Sequence, residues 1–570
     1  MIGAVVLVAL SCGSSNNPDT RFVSLADNYI EQLLQNNPEW ATWLGDHRFD
    51  HRLNSHDKKH LAQWKNIVTA YLDSLGQIDK TMLNDTNLID YEILENDLKF
   101  TIFRIDTLRE SEWQTTRYNP GGAVHALLIR DFAPLEERMA SLRGRLEEIP
   151  RLLDEARANL DNPPRVFTET AILQLGGTIG MIEEGMDEFI ADASDSARDA
   201  LIPAREKAAE ALKEYLAWLQ EDLLPRSNGD FRLGEDKYNR KLHYVLESDF
   251  NASSILARAE QELAETQEAL YQTAVPLFEK YYPKEAANKK RKEKKYIIKK
   301  VLDRMAEDHP NAENIVDKAR ETLEECTAFV SANDIATVPD KPIDIIVMPE
   351  FQRGVAVAYC SSPGPLEADA ETFYAIAPPP SDWDKEQVAS YFREYNNYML
   401  HDLTIHEAMP GHYLQAAHSN KFRAPTMVRA IFGSGVFAEG WATYGEQVMV
   451  AQGYGGPELK AQMLKMRLRM IINAIIDQKI HTAGMTEEEA MALMLDEGFQ
   501  EQGEAAGKWR RACLSSTQLS TYYVGNIEMN DLRRDAEEKL GETFNLKEYH
   551  DRLLSFGTPA PKYIRRMMSL

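Results

Sequence analysis

Two histidines six residues apart, His406 and His412, enclose Glu407-Ala408-Met409-Pro410-Gly411, and that spacing constrains the chain path. On an uninterrupted helix of about 3.6 residues per turn the second ring would point well off the face of the first. Pro410 removes a backbone donor and crowds the preceding turn, while Gly411 tolerates dihedrals closed to other residues. The pair predicts a helix that loops out and brings His412 back beside His406. A glutamate directly after one histidine, with a second histidine shortly downstream, is how zinc hydrolases supply two imidazole ligands and a general base. The plainer reading is a helix end carrying two unrelated histidines.

A third candidate ligand lies twenty-seven residues beyond His412, in the stretch Phe437–Tyr444. Glu439 sits there among Val436, Phe437 and Trp441 and is followed by good helix formers. A lone carboxylate in apolar surroundings is costly unless paired or metal-bound. His406, His412 and Glu439 make a His₂Glu set with an open fourth position, the pattern of a catalytic zinc, one Zn2+ per chain. Glu407, next to a ligand but pointing past it, is the candidate to take the proton of a water. His401 and His418 flank the motif and read as packed or solvent-exposed histidines rather than ligands.

The H-E-A-x-P-G-H-x-x-Q run ending at Gln415, with the later E-G-W-A-x-Y from Glu439, resembles a bacterial family known as domain of unknown function 885, grouped with the gluzincin-like zinc metallopeptidases. The resemblance runs from about residue 21 to the C-terminus and includes Asn87–Asp97 and Pro349–Pro380. It implies a mainly α, zincin-like peptidase fold. In a late segment Arg511, Gln518, Tyr522 and Gly525 keep the family's spacing, although Ser516-Thr517 stand where Pro-Gly is usual. By resemblance Tyr522 donates a hydrogen bond to the oxyanion, with Tyr523 the competing candidate, and Arg511 can pair with a peptide carboxylate.

A chain of 570 residues exceeds a single ordinary core, so a bilobal molecule is expected. The organisation expected is a signal and tether over 1–20, a helical region over 21–330 and a catalytic region over 331–570. The net charge of −26 argues against nucleic acid as a partner, because phosphates would be repelled over most of the surface. Met1–Ser11 is apolar but too short to span a bilayer, and Ala9-Leu10-Ser11-Cys12 resembles a bacterial lipoprotein cleavage site. That resemblance implies lipidation of Cys12 and an envelope location facing the periplasm or the exterior, the lipid being the only membrane contact. Cys326, Cys360 and Cys513 provide no disulfide framework.

From Phe22 to about Phe329 apolar residues recur at helical spacing, as in Phe22–Leu34, Leu61–Leu75, Leu135–Ile149 and Ala204–Leu224. Breaks are expected at Asn37-Pro38, Asn162-Pro163-Pro164 and Ser227-Asn228-Gly229, and Asn251 reads as an N-cap. Lys289–Lys300, with eight basic residues and one acid, reads as a solvated helix face. Short β-branched or aromatic runs at Ile343–Met348, Val355–Tyr359 and Phe373–Ala377 predict a small, mainly antiparallel sheet. Asp384–Thr404 is expected to be one amphipathic helix running into His406, and Leu459–Ile480 a core helix.

Together these features point to a bilobal helical zinc metallopeptidase acting on short peptides, with a small sheet beside the cleft. The same set would also suit a zinc-dependent hydrolase of a non-peptide amide or ester, or a surface-tethered binding protein with a degenerate site. Exo- versus endo-action, side-chain preference and oligomeric state are open at this level.

Overall fold

The computed structural model describes residues 17–288, 293–348, 358–367, 370–380 and 383–570. Cys12 and its flanks, and part of the Val355–Tyr359 run, lie outside the described residues. The molecule is mainly helical with one small sheet, as the periodicity implies. No helix among the described residues is long and apolar enough to cross a membrane.

The helices begin where side chains can satisfy their orphan donors. Asn17 accepts from Asp19 N at 2.9 Å to open Pro18–Asn36, and Asp57 accepts from Lys59 N and His60 N to open Lys58–Gly76. Asn251 forms a reciprocal box with Ser254 at the head of Ala252–Tyr281, eleven residues longer at its C-terminal end than the apolar spacing suggested. In the described part of the basic stretch Lys294, Lys295 and Lys299 are exposed, as a solvated helix face requires, and pair with Glu268, Glu497 and Asp303.

The apolar clusters interleave distant parts of the sequence. One belongs to the first half alone, where Leu135–Asn159 packs along Asp195–Trp218 through Leu142, Leu146, Leu212 and Tyr215. A second joins Phe22, Tyr29 and Trp64 to Val428, Ile431 and Tyr563. Two more join Ala252–Tyr281 and its neighbours to Gly456–Thr482. Across the second of these contacts Asp90 Oδ1 meets Arg429 Nε at 2.6 Å, with Thr426 Oγ1 donating to Asp90 Oδ2 at 2.6 Å. The pair is almost wholly buried, so removing either partner would strand a charge, a loss of about 3–5 kcal/mol.

Two sequence expectations need correction. The sheet is mixed: β1 (Asp344–Val347) runs parallel to β3 (Phe373–Ile376), and only β2 (Ala358–Ser361) pairs antiparallel with it, in the order β1-β3-β2. The parallel pairing places β3 centrally, with Tyr374 and Ile376 buried against Tyr391 and Leu400. The helix expected over Asp384–Thr404 is two helices, Lys385–Glu394 and Asn397–Glu407. Asn396 breaks it, because its side chain accepts from Tyr398 N and Met399 N and caps a new helix instead of continuing the old one.

Candidate metal centre and its cavity

The Asn397–Glu407 helix stops at Ala408, and the chain turns back through a cis Met409–Pro410 bond into the helix His412–Ser419. Gly411 N donates to Ile405 O at 2.9 Å, and a β-carbon on Gly411 would fall 1.7 Å from His406 O, so only glycine fits. Trp441 Nε1 donates to Pro410 O at 2.8 Å and ties this turn to the helix Gly435–Ala451, which carries Glu439. That helix in turn meets Ser520–Leu540 at Gly440 and Gly525. A β-carbon on Gly440 would lie 2.5 Å from the Gly525 backbone, so the two glycines let the helices approach closely. This contact sets Glu439 and Tyr522 on neighbouring elements.

The six-residue spacing is resolved as the Pro-Gly pair predicts. The His406 and His412 rings lie 4.8 Å apart, almost perpendicular. Both Nε2 atoms stand 3.5 Å from Glu439 Oε2, a buried oxygen with no hydrogen-bond partner. The donor atoms of His406, His412 and Glu439 all fall within 4.8 Å of one another, and among the described residues they form the only such group. Ligands about 2.0–2.2 Å from a tetrahedral zinc sit roughly 3.5 Å from one another, so the three residues fit that ion. The carboxylate's environment agrees. Burial alone would raise the Glu439 carboxyl, but His406 and His412 outweigh it and hold it well below the usual range.

Glu446, seven residues after Glu439 on the same helix, is a partner the sequence reading missed. Its Oε1 lies 2.7 Å from His406 Nδ1. A carboxylate holding the proton on Nδ1 leaves the Nε2 lone pair directed at the site. Burial lowers the His406 ring's proton affinity, yet Glu439 and Glu446 together raise it well above its ordinary value. Asp402, one turn before His406, is also buried, and burial, with the charge of Glu446, pushes its carboxyl well above the usual range. The E-x₆-E spacing, two helical turns, was the available signal for Glu446.

Glu407 points the other way, to the sheet. Its Oε2 accepts from Cys360 N of β2 at 3.0 Å. Arg130 donates to the next residue of β2, at Ser361 O and Oγ, 2.9 Å each. His406, Glu407 and Tyr522 line a cavity of about 710 Å³ with Arg511 and Lys508. The Tyr522 ring stacks 6.5 Å from the His406 ring, and its hydroxyl accepts from Arg511 at 2.9 Å. Burial and the Glu439 charge push the Tyr522 hydroxyl above its ordinary value. Tyr523 is fully buried in the apolar cluster of Val436 and Ile475 and does not line the cavity, so of the two tyrosines Tyr522 is the one beside His406. His401 bonds Tyr454 and His418 bonds Thr337 O, and neither reaches the triad.

The family model described as "Bacterial protein of unknown function (DUF885)" matches residues 38–568. A solved structure described as "a putative lipoprotein of unknown function" from Shewanella oneidensis is 33% identical, with a TM-score of 0.79 over 96% of this chain and 100% of that one. The "putative lipoprotein" from Colwellia psychrerythraea shares the fold at 16% identity, with a TM-score of 0.79 over 97% and 99% of the two chains. An M32 carboxypeptidase from Deinococcus radiodurans R1 aligns over 95% and 96% at 11% identity with a TM-score of 0.32, too low a likeness to bear on function. No protein with a curated description matches.

Proposed function

We propose that this chain, which belongs to the bacterial DUF885 family, is a zinc-dependent metallopeptidase of short peptides. The observation that supports this best is the convergence of two imidazole nitrogens on one unpartnered carboxylate oxygen, 3.5 Å from each, beside a glutamate that is free of that cluster. His406, His412 and Glu439 would hold the ion, and zinc when bound supplies Lewis-acid polarisation and an acidified water.

The chain's own groups do the rest. Glu407 takes the proton of the attacking water and passes it to the leaving amine, so that one water and one amide become an acid and an amine. Its bond from Cys360 N holds the carboxylate at the cavity wall. Tyr522 donates to the developing oxyanion, and Arg511, bonded to the same hydroxyl, orients it. Glu446 fixes the His406 ring. A cavity of about 710 Å³ suits a short peptide and excludes a folded chain.

The test is to measure zinc content and peptide hydrolysis side by side in the wild type and Glu407→Gln. The variant is expected to keep its zinc while turnover falls ~10²–10⁴-fold, the usual loss for a general base. Loss of zinc, or wild-type turnover, would show the roles wrongly assigned.

We also place the protein at the cell envelope, tethered by lipid on Cys12. The Ala9–Cys12 pattern supports this, as do the two relatives described as lipoproteins. Cys12→Ser should leave the membrane fraction, and equal partition of both forms into the soluble fraction would reject the anchor.

A further inference from the structure

The cavity holds cations that the hydrolysis just described leaves without a counterion. Lys508, on the helix Gln502–Leu514, lines the cavity and yet is only 5% exposed. Among the described residues its sole ion-pair contact is Glu504 Oε1 at 3.8 Å, beyond hydrogen-bond range. Glu504 is already engaged, pairing closely with Arg469 and accepting from Tyr395 Oη at 2.8 Å. The neighbouring Glu394 is shared by Lys465 at 2.8 Å and Arg469 at 3.8 Å. This buried group thus sets three cations against two carboxylates.

Three residues further along the same helix face, Arg511 lines the cavity too. The only hydrogen-bond partners of its side chain among the described residues are the neutral Gln518 Oε1 and Tyr522 Oη, each at 2.9 Å. A buried ammonium with three unused donors is costly, and burial with the charge of Arg469 pushes Lys508 down to about 7. The cavity lining carries both signs, and Lys508 and Arg511 stand on one helix of that lining without a carboxylate in hydrogen-bond range. The acids near His406 and Glu407 would repel a polyanion, whereas a single carboxylate is the counterion that Lys508 and Arg511 lack.

We propose that Lys508 and Arg511 form a subsite for the free α-carboxylate of a peptide substrate, which makes this an exopeptidase acting from the C-terminal end. The proposal rests on the zinc-peptidase reading for its reaction, but the subsite itself rests on the unpaired cations. Tyr522 links the two, since its hydroxyl bonds Arg511 while its ring stacks on His406.

The experiment uses the full, zinc-loaded protein and one pool of N-acetylated tripeptides, prepared both as free acids and as C-terminal carboxamides. Hydrolysis is followed by mass spectrometry, and binding by retention of the same pools on zinc-loaded Glu407→Gln. Free acids are expected to be preferred at least ~10-fold, chiefly through KM, as for a charged hydrogen bond. That preference should collapse in Lys508→Met and survive in Lys508→Arg. Should Lys508→Met melt early, Arg511→Gln is read for the same ratio. Equal hydrolysis of acids and amides, or a preference that persists in Lys508→Met, overturns the subsite and leaves the peptidase reading standing. Acid-selective retention that depends on Lys508, without any hydrolysis by the wild type, upholds the subsite and sinks the peptidase reading. Equal retention of both pools, or none, overturns the subsite.

Discussion

His406, half-buried, and His550, fully buried, both neighbour elements that Trp441 ties together, and they are opposites in chemistry. The Trp441 indole secures the turn after His406 by its bond to Pro410 O, while its ring meets His550 edge-on at 5.1 Å. His550 has both nitrogens engaged by neutral groups, Nδ1 with Ile335 O at 2.7 Å and Nε2 with Tyr444 Oη at 2.8 Å. Burial pushes its pKa down to about 4, so it is a neutral packing element. His406 has one nitrogen held by Glu446 and the other facing a carboxylate oxygen that nothing satisfies. Depth alone does not mark a histidine as a ligand. The open nitrogen does, together with the carboxylate that would otherwise be orphaned.

The largest expected effect separates the two sites by metal content. Glu439→Gln removes the anionic ligand and should weaken zinc binding by more than the ~10–100-fold that a lost supporting partner costs. His550→Gln should keep the wild-type zinc content. Metal analysis of both purified variants decides this, and equal zinc in the two would dissolve the distinction.

A smaller effect tests the arm that orients His406. Glu446→Gln retains a hydrogen-bond acceptor but not the charge, and zinc affinity should fall by ~10–100-fold. Titration against a competing chelator measures it. Unchanged affinity would reduce Glu446 to packing.

The smallest effect is a pH dependence on the His550 side. Its folded pKa lies below the ordinary value of 6.5, so between 6.5 and about 4 the unfolded chain binds a proton that the folded chain refuses. Stability from this group is therefore present above pH 6.5 and is lost as pH falls toward 4, on the order of 1–2 kcal/mol between pH 6.5 and 5. His125 and His56, lowered to about 4 and about 3 chiefly by burial, add slope of the same sign. Denaturant unfolding of chelated protein should show a shallower pH slope in His550→Gln than in the wild type. Identical slopes would mean that neutral burial of His550 is not what the acid side costs.

Much of this was legible in the chain, and what was legible is local. The helix cap at Asn251 and the break at Asn37-Pro38 depend on neighbours within a few residues. So does the loop-out at Pro410-Gly411, because only glycine fits against His406 O. The misreadings have two causes, one local and one not. Asp384–Thr404 was read through Asn396, whose cap outweighed a continuous apolar stripe. Strand direction in the sheet follows from which strand the helices Lys385–Glu394 and Asn397–Glu407 cover, and β-branched runs carry no sign of that.

From the sequence alone came the candidate ligand set, the base, and the mainly helical class, since residue type, spacing and periodicity act over one or two turns. Only the tertiary structure decided which nitrogen of His406 is held, which of Tyr522 and Tyr523 faces the cavity, and which cations lack a counterion. Those outcomes are set by contacts between residues tens of positions apart: Gly440 on Gly525, Trp441 on Pro410, Glu504 on Arg469. A carboxylate or a lysine reads the same in sequence whether its charge is met or not. Burial and the geometry of its neighbours determine which.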